Sequence, residues 1–151
     1  MDPHPDFAAC ELPREADLEG FRLTPLGPAV VDEDFEAVTA SAGLLNGLFG
    51  DDWPLGLTLE ENAIDLAWHE REFTSRRSFA WVVRDPKGTY VACAYLYPDL
   101  GQRGSAKVVA WVRAMDDRHA VATRLRVELE TWLRPLMPDG IDLSWRTSPK
   151  V

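Results

Sequence analysis

Between Met115 and Leu125 the chain reads MDDRHAVATRL, where an apolar, strand-like run gives way to a helical one. A strand that feeds a helix sets the helix's first unpaired N–H groups at the strand's C-terminal end, where the macrodipole also favours negative charge. The chemistry such a corner offers is anion binding. Cysteine chemistry is the weaker alternative. Cys10 and Cys93 are too few for a disulfide framework, their spacing holds no metal, and neither has a partner base in view.

The charge pattern narrows the partners. At 151 residues with a net charge of -9, the chain lacks the clustered Lys and Arg with which nucleic-acid binders neutralise phosphates, so no nucleic-acid partner is expected. The distribution is uneven. Six acids stand against Arg14 alone in the first nineteen residues, whereas residues 101–135 hold seven basic and four acidic side chains, so a small anion is best received late in the chain. The start MDPHPDF has neither the basic nor the apolar region of a signal peptide, and no run is long enough to span a membrane, so a cytoplasmic protein with no membrane partner is expected.

Several elements must position that corner. Residues 1–20, acidic and Pro-containing, read as a loose, solvated leader, of a kind that can lie over the domain surface and cover a sheet edge, ahead of a single domain at 21–151. FRLTPL at 21–26 alternates as a half-buried strand. A helix follows from an N-cap at Asp32, with Phe35, Val38, Ala42 and Leu45 on one face and Gly43 and Gly47 weakening its second half. Thr58 and Glu61 have the spacing of a capping box for the next helix, on which His69 reads as a solvated residue and Trp68 as core.

Three strands come next, at 79–84, 89–97 and 106–114. The first two flank the turn Asp85-Pro86-Lys87-Gly88, and all three are apolar on both faces, which implies a sheet covered by helices on either side. Val121, Leu125, Leu129, Trp132 and Leu133 give a helix over 118–134, ended by Pro135, and IDLSW at 141–145 is a last strand. Strand 106–114, this helix and strand 141–145 should form one right-handed parallel crossover. Trp81, Trp111, Trp132 and Trp145 fit core packing.

This order, strand, helix, helix, three strands, helix, strand, resembles the GNAT superfamily of acyl-CoA-dependent N-acyltransferases from about Phe21 to Trp145. AWVRAMDDRHAVATRLRVELETWLR lies without a gap on that family's central strand, QxxGxG/A or RxxGxG/A loop, and helix. The resemblance implies an α/β fold with a mixed, largely antiparallel sheet in the order β-α-α-β-β-β-α-β. It also implies acetyl-CoA or another acyl-CoA as cosubstrate, with no metal. The strand would pair with the pantetheine arm through Val112 and Ala114, and Arg118, His119, Ala120, Val121, Ala122 and Thr123 would hold the pyrophosphate.

The departures from the family pattern are specific. Its opening Gln or Arg falls on Asp117 and its first Gly on Ala120; were position 120 to need positive φ, an alanine there would cost about 1 kcal/mol. The family's tyrosine after the fifth strand has no counterpart, and its usual last helix and hairpin are not seen. Tyr95, Tyr97 and Asp99 are the nearest substitutes for its acid and base. The activity implied is acyl transfer to an unidentified small-molecule or peptide amine by direct attack. The alternative is a catalytically silent GNAT-like module for dimerisation, partner or small-ligand binding, and a homodimer is expected with either.

Overall fold

The computed structural model describes residues 2–151. Its strands are β1 (Ala16–Leu18), β2 (Phe21–Pro25), β3 (Phe79–Arg84), β4 (Tyr90–Pro98), β5 (Ser105–Val112) and β6 (Asp142–Ser148), and they lie side by side in chain order. Every neighbouring pair is antiparallel except β5 and β6, which run parallel. The helices are α1 (Val31–Ala40), α2 (Ala42–Leu45), α3 (Leu59–Thr74) and α4 (Arg118–Leu133). The sheet is thus mixed and largely antiparallel, flanked by helices, with α4 as the crossover between β5 and β6.

Local chemistry explains the joints. The β3–β4 turn closes because the Asp85 carboxylate accepts the Lys87 and Thr89 amides and Gly88 supplies φ 85°. Thr58 caps α3 by accepting the Glu61 amide at 3.1 Å, while its hydroxyl donates to the Glu61 carboxylate. β3, β4 and β5 are buried on both faces, as their unbroken apolar runs require. Leu125, Leu129 and Leu133 of α4, with Phe7, cover one face of the sheet over Trp81 and Leu96. Val38 and Leu66 cover the other, over Val82, Cys93, Tyr95 and Trp111.

The N-terminal segment departs from the loose leader expected. Phe7 is fully buried edge-on to Phe79, and Cys10 and Leu12 join the same core. Buried Asp6 accepts from Arg103 at 2.6 Å and from the Gly104 amide at 2.9 Å, and β1 adds a sixth strand at the edge. Three apolar side chains among prolines and acids carry no period, so the pattern hid them. Shorter corrections concern boundaries. Pro28–Val30 forms a 3-10 turn, so α1 starts at Val31 with Val30 in the cap position and Asp32 already inside its first turn. The expected long helix breaks at Ser41 into α1 and α2 and ends before Gly47, at φ 83°. β5 stops at Val112, and β6 runs three residues past Trp145.

Candidate functional site

Two neighbourhoods contain the residues selected from the sequence. The first is the corner between β5 and α4. Ala120 is helical, and among the described residues the only non-glycine with positive φ is Arg76, so the family's glycine is not required for this backbone. No acidic residue occupies the first turn of α4, Asp117 makes no side-chain cap bond, and the His119 and Ala120 amides find no acceptor among the described residues. Arg118 donates from Nε to the Val112 carbonyl at 3.0 Å and from Nη2 to Ser148 Oγ at 3.1 Å. Burial pulls the Arg118 guanidinium down from its ordinary value, and no carboxylate offsets this.

Not every residue expected there faces outward. Val121 and Ala122 lie on the buried face of α4, and the exposed Thr123 donates its hydroxyl hydrogen to the His119 carbonyl. The strand edge beside them is also engaged. The Ala114 amide donates to Ser41 Oγ at 2.9 Å, and Thr147 and Ser148 pair with Ala110 and Trp111, so β6 follows β5 almost to its end.

The second neighbourhood is a cleft of about 270 Å³ on the face of the sheet under α1 and α3. Tyr95 and Tyr97 come from β4, two residues apart and hence on one face. Asp65, Trp68 and His69 come from α3 at i, i+3 and i+4, which stacks them on one side of the helix. The loop between α2 and α3 adds Phe49, Asp51 and Trp53. Their rings form a continuous wall. Phe49 stands edge-on to Trp53 (5.1 Å) and to Tyr95 (5.2 Å), Tyr95 and Tyr97 stack at 5.9 Å, and the His69 ring is 5.3 Å from Tyr95. Tyr95 lies opposite Val109 in the middle of β5 and accepts from Trp111 Nε1 at 3.1 Å.

Electrostatics separates this cleft from the rest of the surface. Burial holds the half-buried His69 imidazole down at about 4, so it is neutral at pH 7 and keeps a lone pair. Burial pushes the Tyr95 and Tyr97 phenols up, so both retain their protons. At the floor, Asp34 accepts from the Tyr90 hydroxyl and from Asn62 Nδ2 (2.8 Å); burial still raises its carboxyl above the ordinary value, with Asp65 adding to the rise. Asp65 is itself raised by burial and by the nearby charges of Glu61 and Asp51. Asp99 stands apart. It is exposed in the turn after β4, accepts the Gly101 amide, and lines an adjoining groove of about 390 Å³ with Lys107.

The sequence reading missed His69, Asp65 and Trp53. His69 is part of the cleft rather than solvated, and Trp68 beside it is 43% exposed rather than core. The available signal was the shared helical face of Asp65, Trp68 and His69, which a count of apolar positions alone passes over.

No protein-family model matches the sequence, and no curated protein is similar to it in sequence. Solved structures are similar in fold. The microcin C7 self-immunity acetyltransferase MccE, in complex with acetyl-CoA and AMP, superposes with TM-score 0.64 at 10% identity over 84% of this chain and 69% of that one. RimL, a ribosomal L7/L12 alpha-N-protein acetyltransferase in complex with coenzyme A, gives 0.61 at 11% identity over 79% and 69%. A Bordetella pertussis protein assigned to the GnaT family of acetyltransferases gives 0.58 at 14% identity over 82% and 74%. The chain therefore spans about two thirds to three quarters of the length of these three proteins. With a six-stranded sheet in this order, parallel at β5–β6 and crossed by α4, the chain has the fold of the GNAT acetyltransferases.

Proposed function

We propose that this protein transfers an acyl group from an acyl-CoA to an amine bound in the cleft of Tyr95, Tyr97 and His69. The observation that carries the proposal is the neutral His69 ring at 5.3 Å from Tyr95, on the strand position opposite the middle of β5. The fold of MccE and RimL, both solved with the coenzyme, supports the choice of donor.

The chemistry follows from the states of the side chains. The amine nitrogen attacks the thioester carbonyl, a C–N bond forms, and the nitrogen becomes acidic enough to give its proton to the neutral His69 imidazole. Collapse of the adduct breaks the C–S bond, and the Tyr97 phenol, protonated and without a protein partner for its hydroxyl among the described residues, donates to the departing thiolate. The first turn of α4 fits the phosphate end of the donor: the His119 and Ala120 amides are unpaired and Arg118 has no carboxylate partner. Alongside Val112 and Ala114, by contrast, the places an extended arm would pair with are held by Arg118 and Ser41. Binding the arm requires those hydrogen bonds to be exchanged.

That requirement makes the test specific. Hydrogen exchange with saturating acetyl-CoA should alter the protection of the Thr147 and Ser148 amides and of the first turn of α4. The second reading is a silent module for dimerisation, partner or small-ligand binding, in which β5 keeps its pairing with β6 from Ser105 to Trp111. Unchanged exchange with no heat of binding for acetyl-CoA would establish that reading.

A further inference from the structure

The two edges of the sheet are built differently. β1 is three residues long, and its central Asp17 is tied to Arg22 on β2. Short, charged edge strands resist pairing with another chain. β6 has neither protection: it is seven residues long, contains no proline, keeps an unbroken register with β5, and pairs with no other strand among the described residues. The Asp142 amide donates to the Gly104 carbonyl at 2.9 Å, which points the backbone groups of Asp142, Ser144 and Arg146 toward β5. By alternation, the N–H and C=O groups of Leu143, Trp145 and Thr147 point outward.

The side chains along this edge are complementary to themselves. Leu143 and Trp145 are half-buried on the face covered by α4, whereas Asp142, Ser144 and Arg146 are exposed on the other. Charge divides along the strand. Asp139 and Asp142 stand at its start, while Arg126, Arg146 and Lys150 line a groove of about 450 Å³ at its end, with no acidic residue lining it among the described residues. Arg126 lies over the Trp145 ring at 5.1 Å, Arg146 donates to the Gly47 carbonyl at 3.0 Å, and none of the three basic side chains is in an ion pair among the described residues. A parallel copy of β6 would set like charge against like. An antiparallel copy brings acidic start to basic end.

We propose that this edge binds a second copy of the chain, with the two β6 strands antiparallel about a two-fold axis at Ser144. Outward backbone groups then meet outward groups. Leu143 of each copy lies opposite Trp145 of the other, Ile141 opposite Thr147, and Asp142 opposite Arg146, so two apolar pairs and two pairs of opposite charge form together. Moving the axis to Trp145 would oppose Arg146 to Ser144, and moving it to Arg146 would oppose that residue to itself. Charge therefore selects the register. The inference concerns assembly alone and is independent of whether the chain transfers acyl groups.

Sedimentation equilibrium of the full chain between about 1 and 200 µM, without coenzyme, should show a monomer–dimer equilibrium. Amide hydrogen exchange at the two ends of that range reads the edge: Leu143, Trp145 and Thr147 should slow at the higher concentration far more than Ser144 and Arg146, which already face β5. Asp142→Arg and Arg146→Asp, both exposed changes, should each weaken the dimer about tenfold or more, because each sets like charges opposite one another at two places. An equimolar mixture of the two variants restores opposite charges at both places and should associate as tightly as the native chain, a rescue that misfolded variants could not give. A monomer throughout the range, a dimer in which the Leu143, Trp145 and Thr147 amides exchange as fast as in the monomer, or a mixture that associates no better than either variant alone would each overturn the proposal.

Discussion

His69 supplies the prediction whose size follows most directly from the structure. Its imidazole is lowered from an ordinary 6.5 to about 4 by burial. At about 1.36 kcal/mol for each pH unit of difference, the full effect is about 3 kcal/mol. One edge of the ring meets water in the cleft, so screening reduces this to between about 1.5 and 3 kcal/mol. The sign is fixed by linkage: as pH falls below about 6.5 the unfolded chain takes up the proton first, and the folded protein follows only near 4. Stability that is intact above the unfolded value is therefore lost progressively across that window. Asp34 and Asp65 act in the opposite sense, because carboxyls raised in the folded state hold their protons longer there. Comparison with His69→Gln cancels their contribution. Urea unfolding of both proteins through this pH range should show the native chain losing about 1.5–3 kcal/mol more than the variant, alongside an NMR titration of the ring with a midpoint near 4. Parallel stability curves with a ring midpoint near 6.5 would refute the buried, neutral histidine on which the mechanism depends.

Three further predictions concern other elements. Phe7→Ala should cost about 3–5 kcal/mol and lower the melting midpoint by roughly 6–20 °C, measured by calorimetry, because the ring is fully buried against Phe79. Tyr90→Phe removes one of the two donors to buried Asp34 and should cost about 1–3 kcal/mol at neutral pH, less in acid where that carboxyl is protonated, as chemical unfolding at two pH values would show. Tyr97→Phe should lower kcat for acyl transfer by about 100-fold while leaving the amine KM within about twofold, the mark of a proton donor rather than a binding group.

Much of the framework was legible because it depends on period and punctuation. The doubly apolar runs at 79–84, 89–97 and 106–114 could only be covered strands, Gly88 fixed their hairpin, and Leu125, Leu129 and Leu133 fixed the face of α4. What escaped has no period. Phe7, Cys10 and Leu12 are buried by tertiary fit within an acidic, proline-containing stretch, and residues 146–148 become strand because β5 offers an unpaired edge rather than because RTS is apolar. The site divided the same way. The tyrosines on β4 were found through the resemblance, and they do share a cleft. His69 was not found, since the same imidazole reads as solvated or poised depending on what packs beside it; here it lies against Tyr95, in the cleft that the loop carrying Phe49 and Trp53 also lines. In the α4 corner the missing glycine proved immaterial, whereas helix phase turns Val121 and Ala122 inward, and exposed Thr123 spends its hydroxyl hydrogen on the His119 carbonyl.

The most direct test of the account combines acetyl-CoA with a panel of primary amines, and reads free thiol release together with the mass of the amine product. The account predicts thiol released in equal amount to an N-acetylated amine, at a rate reduced by Tyr97→Phe and by His69→Gln. Contradiction would be a panel with no amine product above the buffer rate from a protein shown to be folded, or a product formed equally well by both variants.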